Sequence, residues 1–435
     1  MKKKYKTCSN LESSLYLAPN EIRACCKRFF FENKMRGDAK LISITDDETP
    51  KADDIKKARE RLFDEIQENK NEYCKGCVFL KETDQKPSFT ANVSHLSIEH
   101  HSVCNLRCNY CSEIYYGGKK SNYNVVEFVS YLSENKSLSN CEQVVWGGGE
   151  PTLDKSFKEI FEEINKSANP NLYHRVFTNS VRYSEALNEF LKKGLVKITT
   201  SIDAGTEETF KKVRGRQKFQ NVFENLKTYA EIDPTKITVK YIFTDENDRE
   251  EEINEFVNNC IKYKLLDCNY QISVNYKDSE LDFKILKSIA YLFFKLFESG
   301  IKKIFLDDHI VIKFGSLNVQ NLEELKKYLS GHKADYLILD PNKFDDLVVY
   351  GSGNIAKQLI SKTIFFKKLK KYEIVDGNKD LVGKELFEKK IMTPDILRNN
   401  EKKIFIAAAQ QYDEIYKNIL NLRGNANNIV CGLII

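Results

Sequence analysis

The chain has 435 residues, of which 41% are hydrophobic and 30% are charged, a composition typical of a soluble protein with two or three domains. Its 68 basic and 63 acidic residues nearly cancel, and the lysines are spread along the chain, which argues against the basic stripe of a nucleic-acid-binding protein. No apolar run is long enough to span a bilayer, and Met1–Lys4 leads into no secretory segment. We therefore expect a cytoplasmic protein that binds neither nucleic acid nor membranes.

Twelve cysteines are the most informative feature of the composition. In a reducing compartment such a number points to metal binding or catalysis rather than to disulfides. Seven of them form two spaced groups before residue 112, and the other five stand outside these groups. We expect most of those five to be buried and inert; they are Cys26, Cys141, Cys260, Cys268 and Cys431.

Residues 1–90 contain the first group, Cys8, Cys25, Cys74 and Cys77. The spacing Cys8-x11-Asn20-x4-Cys25 resembles the opening of a SPASM or twitch auxiliary-cluster module, with Asn20 in place of the usual glycine. The resemblance implies a second 4Fe–4S cluster on these four cysteines. A zinc ion is the alternative, since zinc fits the C-x2-C pair equally well. Such modules usually follow the domain that they serve, whereas this one precedes it.

Residues 91–280 alternate β-branched runs with amphipathic stretches, a pattern that indicates β/α units on a parallel sheet. The pattern predicts an α/β fold with a partial (β/α)6 TIM-like barrel, in which chemistry lies at the carboxyl ends of the strands. The predicted strands are Val93–Ile98, Gln143–Trp146, Tyr173–Thr178, Val196–Ile202, Ile237–Phe243 and Tyr270–Asn275. The predicted helices between them are Ser156–Ile164, Ser184–Leu191, Phe219–Ala230 and Glu251–Tyr263.

The second cysteine group, Cys104-x3-Cys108-x2-Cys111, follows the first predicted barrel strand. Thiolates are the usual ligands of iron–sulfur clusters, and three of them leave one iron of a cubane open for a ligand. A zinc knuckle is the alternative for the spacing alone. With Tyr110 before the third cysteine, the run resembles the motif of the radical S-adenosylmethionine (SAM) superfamily, whose likeness covers about residues 93–275. The resemblance implies an oxygen-sensitive 4Fe–4S cluster whose open iron binds SAM.

Three further motifs follow at predicted strand ends. Gly147-Gly148-Gly149-Glu150-Pro151 resembles the superfamily's GGEP-type turn, which implies that Gly148, Gly149 and Glu150 bind the methionine part of SAM. Glycines permit close approach of backbone to a ligand, and Glu150 supplies a carboxylate for an ammonium group. In isolation, the same residues would be interpreted as a tight turn with a helix-starting proline.

Ser201 and Asp203 resemble the superfamily's ribose-binding pair, and strand alternation predicts that both side chains point to one side. Arg214 matches a basic position near the SAM carboxylate, with a surface arginine as the alternative. Thr178 and Asn179 end the third strand; they line the pocket or cap a helix.

Residues 281–340 form a connecting region without a clear pattern, and residues 341–435 predict a Rossmann-like domain. Strand Leu347–Tyr350 precedes Gly351-x-Gly353-x-x-Ala356, which suits phosphate binding at a helix amino terminus. Asp376, after strand Tyr372–Val375, lies where a ribose-binding acid is expected. These residues predict a bound nucleotide, or a scaffold that retains the glycines for packing. Strand Lys403–Ala408 and helix Asp413–Leu422 complete the predicted domain.

The combined interpretation is a radical SAM enzyme that cleaves SAM to a 5′-deoxyadenosyl radical, with flavodoxin or ferredoxin as the reducing partner. The C-terminal domain favours a sugar or sugar-nucleotide substrate, and a peptide or protein side chain is the alternative. A non-enzymatic iron–sulfur or zinc protein is disfavoured by the motifs at residues 147–151 and 201–203. A nicotinamide-dependent dehydrogenase is a further alternative, but the sequence has no recognisable proton-relay residues near the glycine motif Gly351–Ala356. No catalytic side chain is predicted.

Overall fold

A computed structural model describes residues 4–32, 34–45, 49–112, 117–166, 169–278, 280–399, 401–408 and 411–435. The chain divides into two compact units, of which the first comprises Met1–Thr200 and Arg214–Ile237 and the second Ser201–Val213 and Thr238–Ile435. Both units combine helices with mostly parallel strands, which confirms the predicted α/β class. Among the helices of the described ranges, none has both the length and the low polarity that crossing a membrane requires.

The first unit contains a sheet in the spatial order β6-β3-β2-β8-β9-β10-β11. Strands β2, β8, β9, β10 and β11 run parallel, and β3 and β6 add an antiparallel edge. Two small antiparallel pairs, β1 with β7 and β4 with β5, lie outside this sheet. The strands are β1 Tyr5–Thr7, β2 Ser14–Leu17, β3 Glu21–Arg23, β4 Arg28–Phe31, β5 Lys34–Gly37, β6 Lys40–Ser43, β7 Lys81–Thr83, β8 His95–Ile98, β9 Gln143–Trp146, β10 Tyr173–Phe177 and β11 Val196–Ser201.

Two helices of the first unit, Val125–Glu134 and Glu185–Lys192, begin at side-chain caps and bury one apolar face. Asn124 and Ser184 each accept a hydrogen bond from a backbone N–H of the following turn, which is why helices begin after them. Helix Phe157–Lys166 buries Phe157, Ile160, Phe161 and Ile164, which are spaced for one face. The helices are Ser9–Ser13, Ala52–Gln67, Val125–Glu134, Phe157–Lys166, Glu185–Lys192 and Phe219–Ala230.

The second unit begins with three parallel strands, β12 Ile237–Phe243, β13 Asn269–Val274 and β14 Ile304–Leu306. Burial alternates along β12, as expected for a strand with two different faces. Strand β14 lies in the region that the sequence left as a connection, because a strand of three residues carries too little pattern to be recognised. The helices from residue 207 to 331 are Glu207–Arg214, Glu250–Lys262, Phe283–Glu298, Asp308–Lys313 and Val319–Gly331.

A five-stranded sheet follows in the order β17-β18-β16-β15-β19, formed by β15 Leu347–Tyr350, β16 Tyr372–Val375, β17 Glu385–Leu386, β18 Lys389–Met392 and β19 Lys403–Ile406. Strands β18, β16, β15 and β19 are parallel, and β17 is antiparallel to β18. Helices Asn354–Lys362, Ile364–Lys368 and Tyr412–Arg423 accompany it. The partial barrel, the Rossmann-like domain and the domain limits at 90, 280 and 340 stay predictions.

Candidate active site

The loop after β8 carries the three predicted cluster cysteines, and hydrogen bonds tie it to other parts of the first unit and to its own start. The backbone N–H of Val103 donates to His101 Nδ1 at 3.2 Å, one residue before Cys104. At the other side, the backbone N–H of Arg107 donates to the carbonyl of Arg214 at 3.0 Å. These two hydrogen bonds hold the loop before and within the cysteine motif.

The three thiols, on Cys104, Cys108 and Cys111, are all half-buried. Burial raises the pKa of the Cys104 thiol, and a hydrogen bond from the Leu106 N–H opposes that rise. Cysteine thiolates bind zinc as well as iron–sulfur clusters, so a zinc ion on this loop stays the alternative.

The predicted glycine turn is hydrogen-bonded to the cluster loop. The N–H of Gly149 donates to the His101 carbonyl at 3.0 Å, and the N–H of Glu150 donates to the Val103 carbonyl at 2.8 Å. Gly148 has φ of 84°, in the left-handed region that favours glycine. A Cβ on Gly149 would lie 2.2 Å from the Val103 carbonyl oxygen. The glycines are thus required by the close approach of these two segments.

The Glu150 carboxylate is buried and joins the ends of β9 and β10. Its Oε1 accepts from Thr152 N at 3.2 Å, from Thr152 Oγ1 at 2.7 Å and from Thr178 Oγ1 at 2.7 Å, while Oε2 accepts from Asn179 N at 2.6 Å. Burial raises the pKa of the Glu150 carboxyl, and these hydrogen bonds oppose the rise. Four donors hold the carboxylate in place, and its predicted contact with an ammonium group stays a prediction.

Arg214 and Tyr110 meet beside the cluster loop. The Arg214 guanidinium donates to the Tyr110 hydroxyl and lies 5.7 Å from the centre of the Tyr110 ring. Arg214 is only 5% exposed, so the alternative of a surface arginine is wrong. A cation at this position suits the predicted recognition of a carboxylate.

In the second unit, Asp203 has a structural contact that the sequence did not reveal. Strand β11 ends at Ser201, and Asp203 has φ of 61°, so strand alternation does not relate these two side chains. Asp203 Oδ1 accepts the N–H of Ile242 at 2.7 Å, and the carbonyl of Asp203 accepts from Asn247 Nδ2 at 2.9 Å. Burial raises the pKa of Asp203 to about 8, although the bond from Ile242 opposes this. Its ribose-binding role stays a prediction.

Glu99 is a site residue that sequence reasoning missed. It follows β8 directly, and the Tyr16 hydroxyl donates to its carboxylate. A Cβ on Gly147 would lie 3.1 Å from Glu99 Oε1, which places this carboxylate beside the glycine turn. Burial raises the pKa of the Glu99 carboxyl, and the Tyr16 hydrogen bond opposes the rise. An acidic residue directly after the first predicted strand was the signal that could have identified it.

His100, His101 and Asp154 offer one donor atom each within 4.8 Å of one another, the one such group of metal-ligating types in the described ranges. His100 Nε2 lies 2.9 Å from Asp154 Oδ2. His101 Nδ1 already accepts the Val103 N–H, which occupies its lone pair. Burial lowers the pKa of His101 to about 4. His100 and Asp154 thus form a hydrogen-bonded pair, and His101 is hydrogen-bonded to the cluster loop instead.

The four N-terminal cysteines converge in the first unit. Cys8 caps the helix Ser9–Ser13, where its Sγ accepts the Leu11 N–H at 3.4 Å. Burial raises the pKa of Cys74 to about 12, and the neighbouring thiols of Cys25, Cys77 and Cys8 add to the rise. Such mutual influence requires proximity. Their role as ligands of iron–sulfur or zinc stays a prediction.

The other cysteines follow the expectation in part. Cys141, Cys260 and Cys268 are buried, which confirms it for most of the five. Cys431 is half-buried; Cys26 is exposed as a residue, although burial raises the pKa of its thiol to about 12.

The C-terminal glycine loop is closed by the acid that was predicted to bind ribose. Asp376 Oδ2 accepts from Ser352 N at 2.8 Å and from Ser352 Oγ at 2.6 Å. Gly351 has φ of 108°, and Gly353 caps the helix Asn354–Lys362. A carboxylate of the protein thus occupies a loop N–H that would otherwise be offered to a phosphate. Ligand binding by Gly351, Gly353 and Asp376 stays a prediction.

Residues 98–257 match the radical SAM superfamily. This stretch begins at Ile98, the last residue of β8, and contains the cluster loop, the glycine turn and strands β9 to β12. The chain therefore contains a radical SAM domain, and the prediction of an enzyme is confirmed.

Among curated proteins, the chain is 30% identical over 174 residues to a GTP 3′,8-cyclase of Pasteurella multocida, covering 39% of this chain and 50% of that protein. It is 23% identical over 175 residues to a GTP 3′,8-cyclase of Clostridium botulinum, covering 40% of this chain and 54% of that protein. The chain thus spans about half the length of the curated relatives that it matches.

Among solved structures, SuiB of Streptococcus suis aligns with a TM-score of 0.42 at 14% identity, over 62% of this chain and 60% of that chain. The structure of anSMEcpe with bound AdoMet aligns with a TM-score of 0.39 at 19% identity, over 50% of this chain and 65% of that one. None of these likenesses supports the predicted sugar or sugar-nucleotide substrate.

Proposed function

We propose that the chain reductively cleaves SAM at a 4Fe–4S cluster held by Cys104, Cys108 and Cys111. The observation that carries the proposal is the pair of hydrogen bonds that joins the cluster loop to the glycine turn, from Gly149 to His101 and from Glu150 to Val103. They bring two motifs, separated by about forty residues, into one site inside the matched domain.

The thiols of the cluster loop suit an iron–sulfur cluster because they are soft ligands grouped on one short segment. When bound, the cluster would supply the electron that cleaves SAM to methionine and a 5′-deoxyadenosyl radical. The radical would then abstract a hydrogen atom from the substrate. The buried Arg214 would hold the SAM carboxylate, and the turn of Gly148 and Gly149 would present backbone atoms to the amino group.

A direct test measures 5′-deoxyadenosine by mass spectrometry after anaerobic reconstitution and addition of SAM and dithionite. We expect the native chain to form it and a variant with Ala at all three positions, Cys104, Cys108 and Cys111, to form none. The matched control is Cys26→Ala, since Cys26 lies outside both cysteine groups. Product formation by the triple variant would show that the assignment is wrong.

We further propose that Cys8, Cys25, Cys74 and Cys77 hold a second 4Fe–4S cluster, because their thiols converge and are partly buried. Four protein ligands leave no open iron, so this cluster would transfer electrons or stabilise the fold. Iron and sulfide analysis of a variant with Ser at all four positions should show the loss of one cluster with SAM cleavage at the first site still measurable. Stoichiometric zinc and a single cluster in the native chain would contradict this second proposal.

A further inference from the structure

Asn179 follows β10, and its buried carboxamide contacts the cluster loop. Its Nδ2 lies 3.8 Å from Cys104 Sγ and 2.6 Å from Asn105 Oδ1. Both N–H groups of the amide are therefore directed at the segment that begins the cluster motif. Because 3.8 Å is within the range of N–H···S contacts, the sulfur of Cys104 has a side-chain donor outside its own loop.

Local contacts fix the orientation of this amide. Asn179 Oδ1 accepts the N–H of Val181 at 3.0 Å, so the oxygen end is occupied and the NH2 end faces Cys104 and Asn105. The reversed amide would place a carbonyl oxygen against a sulfur and against a second carbonyl oxygen. The backbone N–H of Asn179 donates to Glu150 Oε2 at 2.6 Å, which anchors the residue to the glycine turn.

We propose that Asn179 is a positioning residue that donates an N–H···S hydrogen bond to Cys104 and thereby raises the reduction potential of the cluster held there. This inference rests on the proposed function of the same loop. The physical reason is that the reduced cluster carries one more negative charge, which a donor to a ligand sulfur stabilises more than it stabilises the oxidised form.

The expected effect follows from hydrogen bonds that other residues donate to metal ligands. Loss of one such bond typically changes metal affinity or activity by about tenfold or more, and we apply the same factor to reduction of the cluster. A tenfold fall in the equilibrium constant for one-electron reduction corresponds to about 59 mV. The potential of the cluster should therefore become more negative by about that amount when the donor is removed.

Two substitutions separate the contact with sulfur from the local turn. Asn179→Ala removes the donor and also the acceptor for Val181. Asn179→Ser is too short to reach Cys104, but its hydroxyl can still accept the Val181 N–H, as serine does in such turns. Asn225→Ala is the matched control, because Asn225 Nδ2 donates to the Ser180 carbonyl at 2.8 Å and does not serve the cluster loop.

The experiment is a potentiometric titration of the reconstituted chain, followed by electron paramagnetic resonance of the reduced cluster without SAM. We expect both variants at Asn179 to show a more negative potential by about 59 mV and Asn225→Ala to match the native chain. A native potential in Asn179→Ser would overturn the inference. So would loss of the cluster from both Asn179 variants but not from the control, since Asn179 would then serve assembly instead. Failure of the proposed function is distinguishable, because the cluster signal titrated in the native chain would then persist in the variant with Ala at Cys104, Cys108 and Cys111.

Discussion

The carboxylate of Glu150 offers the sharpest test of how the glycine turn is held. It accepts four hydrogen bonds, three at Oε1 and one from Asn179 N at 2.6 Å to Oε2. Glu150→Gln keeps the size of the side chain but places an NH2 group against the Asn179 N–H, so that two donors face each other. The opposite orientation of the new amide is less favourable still, because its NH2 group would then face the three donors that now bind Oε1.

The magnitude follows from leaving buried donors unpaired. One such group costs about 1–3 kcal/mol, so we expect Glu150→Gln to lower the free energy of unfolding by about 2 kcal/mol. Glu150→Ala removes the acceptor of all four donors and should cost about 4 kcal/mol. With about 2–4 °C per kcal/mol, these losses lower Tm by about 4–8 °C and about 8–16 °C.

Thermal unfolding of the metal-free chain, followed by circular dichroism, measures these differences. The control is Glu162→Gln, because the Glu162 side chain is 52% exposed and pairs with Lys158 only at 3.8 Å. Its effect should stay within about 0.5 kcal/mol. Equal stability of Glu150→Gln and the native chain would refute the reasoning, since the hydrogen bonds to Glu150 would then contribute nothing.

Three further outcomes are expected. The pKa of Asp203, about 8 in the fold, lies above its unfolded value of about 4, so native stability should fall as pH rises from about 4 to 8. Asp203→Asn should flatten that dependence in urea titrations between pH 5 and 8; an unchanged slope would contradict the assignment. Gly149→Ala would place a Cβ 2.2 Å from a loop carbonyl oxygen and should abolish iron uptake, whereas Gly353→Ala enters open space and should not. Retained iron in the former would disprove the need for close approach. Burial raises the pKa of Cys8 to about 11 and of Cys74 to about 12, so zinc binding at these thiols must release their protons. The affinity for zinc should therefore rise about tenfold per pH unit for each thiol, which chelator competition at pH 7 and 8 measures. A pH-independent affinity would mean that these thiols are not ligands.

The strands with strong local patterns could be predicted from the sequence. Gln143–Trp146, Ile237–Phe243, Leu347–Tyr350 and Tyr372–Val375 have the predicted bounds. Each is a short β-branched or aromatic run with polar or turn residues at its ends, so neighbours along the chain contain the necessary information. The cluster loop and the glycine turn could be found for the same reason, as contiguous motifs.

Features that depend on distant partners could not be predicted. Strand β2 pairs with β8 across about eighty residues, and nothing in Ser14–Leu17 alone indicates a parallel partner. The contacts of Asp203 with Ile242 and of Asp376 with Ser352 are likewise set by tertiary packing. Sequence spacing identified Asp203 and Asp376 as candidate ligand-binding residues. It contained no information on whether backbone N–H groups of the protein bind their carboxylates.

The parallel pairing of β2 with β8 determines whether the domain that matches the radical SAM superfamily stays monomeric without the N-terminal segment. Registered pairs run from Ser14 with His95 to Leu17 with Ile98, and the Glu99 N–H donates to the Leu17 carbonyl at 2.9 Å. A chain shortened to begin at residue 91 would leave one side of β8 without hydrogen-bonding partners, and open strand edges recruit other copies. Such a fragment should aggregate at concentrations where the whole chain stays monodisperse by light scattering. Through β2, the N-terminal segment therefore covers the strand edge of β8 and protects the radical SAM domain from edge-to-edge association.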